Sequence, residues 1–420
     1  MSKLTFHALA AAVAVSVLSA ATPEAAFNAA TVPGADLLIR SDGTKIYASP
    51  FYKKLDELSK KLVESSAKGD TEVLKKFKDF FDLIEKEGLS DKNSEASVVS
   101  LAAGKAITKI VKDAKESGEP TFSFDDFGLL VAGKYAKPLT KAGISKIVTE
   151  YLKVYPDEAR EILDHVFERA VTADFEYAGV PGMTLTFRMD EDDLEDAPFD
   201  KAPVFAYALP AEGRVLYLGF EKDVKAAIDR ANAGTTAEPD PGLKKLLDST
   251  LAKNPLATYD SHGALLMPQV FRDAMGALEN MLEGANGRRS LPLPGMLPCV
   301  KAAKAIQGMR FAYAYGEKLD SITNFVLDSA ENAALFKDVL QINVLNMAQM
   351  GLFQVTGKNT AFAQSLSAAA DGESTSILFS ITLEDVSFFL EFFQKKMDEM
   401  LSVEPAFTPF FIDEGDDDDE

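Results

Sequence analysis

The segment PVFAYALPAEGRVLYLGFEKDVKAAIDRA, residues 203–231, constrains the fold more than any other stretch of the chain. Two extended apolar runs flank Pro210–Gly213, whose Pro and Gly give it turn chemistry, so the run reads as a β-hairpin. A helical pattern follows at once. A sheet with an apolar face must be covered, and a helix next in sequence is the nearest cover. The tetrapeptide FAYA recurs at Phe311–Ala314 within GMRFAYAYGEKLDSITNFVLDSAENAALFKDVLQ, which again reads as strand, strand and helix. The expected fold class is α+β, with two similar halves, each an antiparallel sheet covered by helices. The shared order of elements points to an ancient duplication.

The expected organisation is a leader at 1–21, a first domain at 28–232, a linker region at 233–256, a second domain at 257–404 and an acidic disordered tail at 405–420. Asp36–Arg40 reads as a strand. Ser49 and Pro50 open a helix as N-cap and first helical residue. A second helix carries Val73, Phe77, Phe80, Phe81 and Ile84 on its apolar side, and Gly88 ends it. A third is expected from Ser94 to Lys115, a strand over Phe127–Tyr135, and two more helices over 140–170. In the last strand-to-helix junction, Thr382 and Asp385 are spaced for a capping box. From Val339 to Gly357 there is no charged residue, yet Gln341, Asn346 and Gln349 recur on one side. That pattern predicts a largely buried helix between the sheet and its neighbours, since amides sit poorly in a bilayer.

The first residues read as an export signal. Lys3 supplies the positive end, Ala8–Leu18 the apolar run, and Ser19-Ala20-Ala21 the small residues of a cleavage site. The run is shorter than the roughly 20 residues a transmembrane helix needs. Export to the periplasm or the medium is therefore expected, with no integral membrane span once the leader is removed. A formal net charge of −21 repels a phosphate backbone, so no nucleic-acid partner is expected. The Lys-rich stretch from Lys53 to Lys78 is interleaved with acids and reads as solvated helix faces. Cys299 is the only cysteine, which excludes an intramolecular disulfide; it is expected to be a small buried apolar residue.

The exported leader, the opening ADLLIR strand, the Ser-Pro entry into a helix and closing units such as YLGFEKDVKAAID resemble a family of uncharacterised secreted or periplasmic bacterial proteins with a duplicated α+β body, over roughly 33–400. The resemblance implies a fold. It brings no catalytic residues.

The search for chemistry returns few candidates. Two of the three histidines, His165 and His262, lie beyond the leader. Glu161 and Glu168 stand four and three residues from His165, a spacing that places all three on one helix face and could hold a divalent ion. The same residues also suit an ordinary charged surface helix. Asp190, Asp192 and Asp193, in MDEDDLEDAPFD, form an acidic loop that calcium could use weakly. An EF-hand is excluded there, because Leu194 and Glu195 stand where a Gly is required. Asp260, Ser261 and His262 adjoin one another, but neighbours on an extended run point to opposite faces and do not form a triad. Neither a P-loop nor a dinucleotide fingerprint occurs. Nine of the 12 methionines fall between Met267 and Met400, at spacings that suit core filling or an adaptable apolar surface. No catalytic residue and no cofactor is expected, apart from a weak divalent cation.

The function these features point to is an exported non-catalytic binding or scaffold protein, whose partner is an extracytoplasmic protein or a small molecule. Two alternatives stay open: a hydrolase or metal-dependent enzyme with a site assembled from distant carboxylates and a histidine, and a carrier of apolar ligands in a cavity lined by Met275, Met347 or Met350.

Overall fold

A computed structural model describes residues 21–66, 71–117, 122–154, 170–189, 199, 201–248, 258–285 and 296–402. The described chain is mixed α+β. Its strands are β1 (Leu37–Asp42), β2 (Ser94–Ala102), β3 (Gly128–Tyr135), β4 (Ala170–Tyr177), β5 (Val180–Phe187), β6 (Val204–Ala208), β7 (Val215–Phe220), β8 (Ser261–Leu266), β9 (Ile306–Tyr315), β10 (Lys318–Leu327), β11 (Ser367–Asp371) and β12 (Ser374–Thr382). They form one sheet in the order β11-β12-β10-β9-β8-β1-β2-β3-β7-β6-β5-β4. Each pairing between these strands is antiparallel.

Two separate sheets were the sequence expectation; β1 and β8 instead pair along Leu37–Ser41 and Ser261–Leu265, so both parts of the chain share one sheet. The physical reason is the edge. A sheet ending at β1 or β8 would leave a row of unpaired backbone donors and acceptors, and joining the two strands satisfies them. Outward from this seam the order is β1, β2, β3, β7, β6, β5, β4 on one side and β8, β9, β10, β12, β11 on the other, so the first side carries two more strands. The repeated FAYA lies on β6, fifth from the seam, and on β9, second from it, so the two tetrapeptides hold different places.

The seam repeats its own hydrogen bonds. The amide of Leu266 donates to the carbonyl of Asp36, and that of Asp42 to the carbonyl of Asp260, each at 2.7 Å. The Asp36 amide donates to the carbonyl of Leu101 at 2.9 Å, and the Asp260 amide to that of Tyr313 at 2.8 Å. The Asp36 carboxylate accepts from the amides of Ala103, at 3.0 Å, and Gly104, while the Asp260 carboxylate accepts from that of Tyr315 at 2.8 Å. Each aspartate thus fastens its own strand to the end of the next one.

Leu38, Val98, Leu130, Ala132, Tyr217 and Ala264 belong to the main core. Three helices contribute to it: Pro23–Asn28 through Ala26, Glu221–Ala233 through Val224, Ala227 and Ile228, and Pro241–Asp248 through Leu243 and Leu246. The last of these lies within 233–256. The hairpin over Pro210–Gly213 forms as the turn residues predict, with positive φ at Ala211, Glu212 and Gly213. Ser49 caps its helix by accepting from the amide of Tyr52 at 3.1 Å. Thr382 and Asp385 exchange side-chain-to-amide bonds at 3.1 and 2.9 Å, a complete capping box.

Two local expectations are corrected. Ser94–Ala102 is strand β2, and the helix begins only at Gly104; pairing on both sides with β1 and β3 outweighs the moderate helix propensity of Ala, Ser and Leu. The uncharged run at 339–357 belongs to a helix, with a wider π turn at Leu340–Leu345 and a left-handed end at Gly357, but only Val339, Leu340 and Leu345 in it are buried. Ile342, Met347, Met350, Phe353 and Val355 are each more than half exposed. Two of its amides face the protein, while Asn346 is exposed: Gln341 accepts from the amide of Ala368 on β11, and Gln349 donates to the carbonyls of Ala363 and Leu366. They satisfy an amide on the edge strand β11 and carbonyls at the end of the helix Ala361–Ser365, and this turns the apolar residues outward. Among the described residues no helix is long and apolar enough to cross a membrane. Of the two helices expected over 140–170, Lys141–Val154 is present, and residues 155–169 lie outside the described set.

Candidate functional site

Strands β1, β8 and β9 turn Arg40, His262 and Arg310 to the same face of the sheet. Arg40 and His262 are direct cross-strand partners, and Ala312 is the partner of His262 on the other side. Arg310 precedes Ala312 by two residues, so it shares that face. Above these residues lies a cavity of about 510 Å³. Its walls come from four further segments: Asn28 and Thr31 beside the helix Pro23–Asn28, the loop at Ala237 and Pro239, Leu247 of the helix Pro241–Asp248, and Tyr259. The site straddles the seam, since Arg40 comes from one side of it and His262 and Arg310 from the other.

Arg310 is 7% exposed. Its Nε is buried without a hydrogen-bond partner, and no ion pair reaches its guanidinium among the described residues. An uncompensated buried cation costs several kcal/mol even after local relaxation. His262 is half-buried, and its ring lies 5.0 Å from that of Tyr259 between centroids. Burial, then the guanidinium of Arg310 and that of Arg40, push its pKa below the usual histidine value, so the imidazole is neutral at pH 7. At the rim Lys244 pairs with Glu238 at 2.7 Å, and Asp248 stands nearby on the same helix as Lys244. The buried part of the lining therefore carries the Arg310 guanidinium, while Arg40, Glu238, Lys244 and Asp248 are exposed.

The sequence triplet Asp260, Ser261, His262 separates as strand alternation demands. The Ser261 hydroxyl lies 2.8 Å from that of Ser41 on the opposite face. The Asp260 carboxylate is engaged by the amide of Tyr315. No carboxylate or serine hydroxyl bonds to His262 among the described residues, so this arrangement lacks a base–orienter pair for hydrolysis. His165, Glu161, Glu168, Asp190, Asp192 and Asp193 lie outside the described residues. Among the described residues no group of three or more His, Cys, Asp or Glu side chains is arranged to hold a metal ion. Met347 and Met350 face outward and Met275 is half-buried; none lines this cavity. Cys299 is partly exposed and accepts from the Asn343 amide group at 3.7 Å.

A smaller cavity of about 280 Å³ lies against Phe124, Pro203 and Phe220. Its three lysines are already engaged, Lys201 with Asp125 and Lys225 with Glu221, each at 2.7 Å, and Lys222 with the carbonyl of Asp125. Arg40 and Arg310 are the site residues that the sequence patterns do not single out. The available signal is GMRFAYAY, in which Arg310 is the one charged residue of a ten-residue strand and keeps phase with Gly308 and Ala312.

No family model matches the chain, and no curated protein matches it. Two solved structures are similar in outline, crystal forms I and III of TP0453. They share 10% and 9% identity with TM-scores of 0.34 and 0.33, and cover 89% and 87% of this chain and 99% and 97% of those chains. A likeness that loose carries no argument about function.

Proposed function

We propose that this is an exported, non-catalytic binding protein that holds a small molecule in the cavity at the seam of its sheet. The observation that carries the reading is the cavity itself. At about 510 Å³ it falls in the range of small-molecule sites, and its lining is mostly polar, with Arg40, His262 and Arg310 converging on it beside the apolar Leu38 and Leu247. The neighbours of His262 favour binding over hydrolysis, because they are guanidiniums and a tyrosine ring. The leader at Lys3 and Ala8–Leu18 supports export. Native mass spectrometry of the protein purified from its own host tests the reading. A small-molecule adduct is expected on the wild type and is expected to be lost in Ala237→Trp, which fills the mouth of the cavity. An adduct that survives Ala237→Trp, or a wild type with none, would count against it.

The two-halves reading belongs with this proposal. The matching order of the five strands nearest the seam on each side, with β5 and β4 extra on the first, and the matching bonds of Asp36 and Asp260 support an ancient duplication that left its binding cavity at the junction. If the two aspartates hold equivalent places, Asp36→Ala and Asp260→Ala should each cost about 2 kcal/mol, because the first leaves two part-buried backbone amides without their acceptor and the second leaves one. Urea denaturation measures both. A loss confined to one of the two variants would argue that the seam is not built twice.

A further inference from the structure

We propose that the ligand of this cavity carries a compact anionic group, a carboxylate or phosphate, and that Arg310 binds it. The inference rests on the binding reading above and names the ligand class. Its carrying observation is the juxtaposition of a cavity with a cation that has no counter-ion. Arg310 is almost fully withdrawn from solvent, lines the cavity and has a buried Nε with no acceptor. Chains keep buried charges where something pairs with them. The other strongly buried charged groups among the described residues have partners: Asp223 accepts from the amide of Leu129 at 2.9 Å, and Asp385 from those of Phe362 and Thr382. Arg310 is the one among them that opens onto empty space.

The surroundings define the anion further. A guanidinium offers a planar fork of donors that matches two oxygens of a carboxylate or phosphate. Arg40, at the exposed end of the same face, supplies a second cation. His262 stands between them on β8 and, neutral, adds one ring donor. Two guanidiniums against one carboxylate at the mouth, Asp248, leave the cavity locally cationic in a chain of net charge −21. Glu238 is already matched by Lys244. Beyond the anion, Leu38, Leu247 and the ring of Tyr259 offer apolar surface. The ligand is therefore an organic anion with an apolar or aromatic body, held head-down on Arg310.

Calorimetric titration of the full chain with benzoate, phenyl phosphate and neutral benzamide tests this. Benzoate or phenyl phosphate should bind and benzamide should not, and the better of the two anions identifies the head group. Arg310→Met should weaken anion binding about 10- to 100-fold, the loss of charge-assisted bonds. Arg40→Gln should weaken it less. The ligand-free Arg310→Met protein should unfold at the same urea concentration as the wild type or a higher one, since the variant removes an unpaired buried charge. Arg310→Lys keeps a charge without the fork and should retain part of the affinity. Benzamide binding as tightly as benzoate, or equal anion affinity in wild type and Arg310→Met, would overturn the assignment while leaving the binding function standing. A neutral adduct in the native mass spectrum would do the same. Strong destabilisation by Arg310→Met without any anion binding to the wild type would also overturn it, and would make Arg310 a packing residue.

Discussion

Arg230→Met is expected to lower the stability of the folded protein by about 4 kcal/mol, enough to remove a large share of the stability of an ordinary domain. Arg230 lies on the core helix Glu221–Ala233 and reaches the segment that precedes the sheet. Its guanidinium donates to the carbonyl of Ala29 at 3.1 and 3.0 Å and to that of Thr31 at 3.0 Å. Both carbonyls belong to buried residues. Bonds from a charged donor contribute about 1.5–3 kcal/mol each, and the acceptors left behind would be buried without a partner. Burial pulls the Arg230 pKa down, which marks how far the cation has been drawn from water. The same segment is held at a second point, where the buried Tyr217 hydroxyl donates to the carbonyl of Ala26. It also forms a wall of the cavity through Asn28 and Thr31. Arg230→Met should therefore lose the native-mass adduct along with stability. Chemical denaturation followed by circular dichroism reads the first effect. A loss below about 1 kcal/mol would mean that Tyr217 and core packing hold the segment without Arg230.

Gly263→Ala should cost about 3 kcal/mol, at the upper end of overpacking in a close-packed interior. Gly263 is the middle residue of the seam, opposite Ile39 on β1 and Phe311 on β9. A Cβ there would stand 2.6 Å from the carbonyl oxygen of Leu38 and 2.7 Å from the tip of the Phe311 ring. The ring could swing aside, but the carbonyl belongs to the strand across the seam and can move only with it. The expected readout is a fall in the urea midpoint together with faster amide exchange in β1 and β8. A neutral Gly263→Ala would contradict the close approach of the two strands on which the single-sheet architecture stands.

What is legible in the sequence depends on the range of the interactions involved. Ser49-Pro50 and the Thr382/Asp385 capping box are readable because their partners lie within three residues. The turn at Pro210–Gly213 is readable for the same reason. Ser94–Ala102 reads wrongly as a helix because its residues tolerate either conformation, and the neighbours that choose the strand are β1 and β3, supplied by other parts of the chain. The uncharged helix at 339–357 reads as buried because its composition is apolar. Backbone groups at Ala363, Leu366 and Ala368 need its amides and turn it round. His262 stands out in the sequence through its neighbours Asp260 and Ser261, yet its working neighbours are Arg40 and Arg310, brought beside it by pairing across the sheet.

The sequence by itself determined the mixed α+β class, the hairpins and caps, and the separation of Ser261 from His262 onto opposite faces, since all of these follow from backbone geometry over a few residues. Only the tertiary structure decided that the two parts share one sheet and that Arg310 is buried over a cavity without a counter-ion. Those outcomes depend on which strand edges meet, and edge pairing is a long-range choice made by satisfying every backbone donor and acceptor at once.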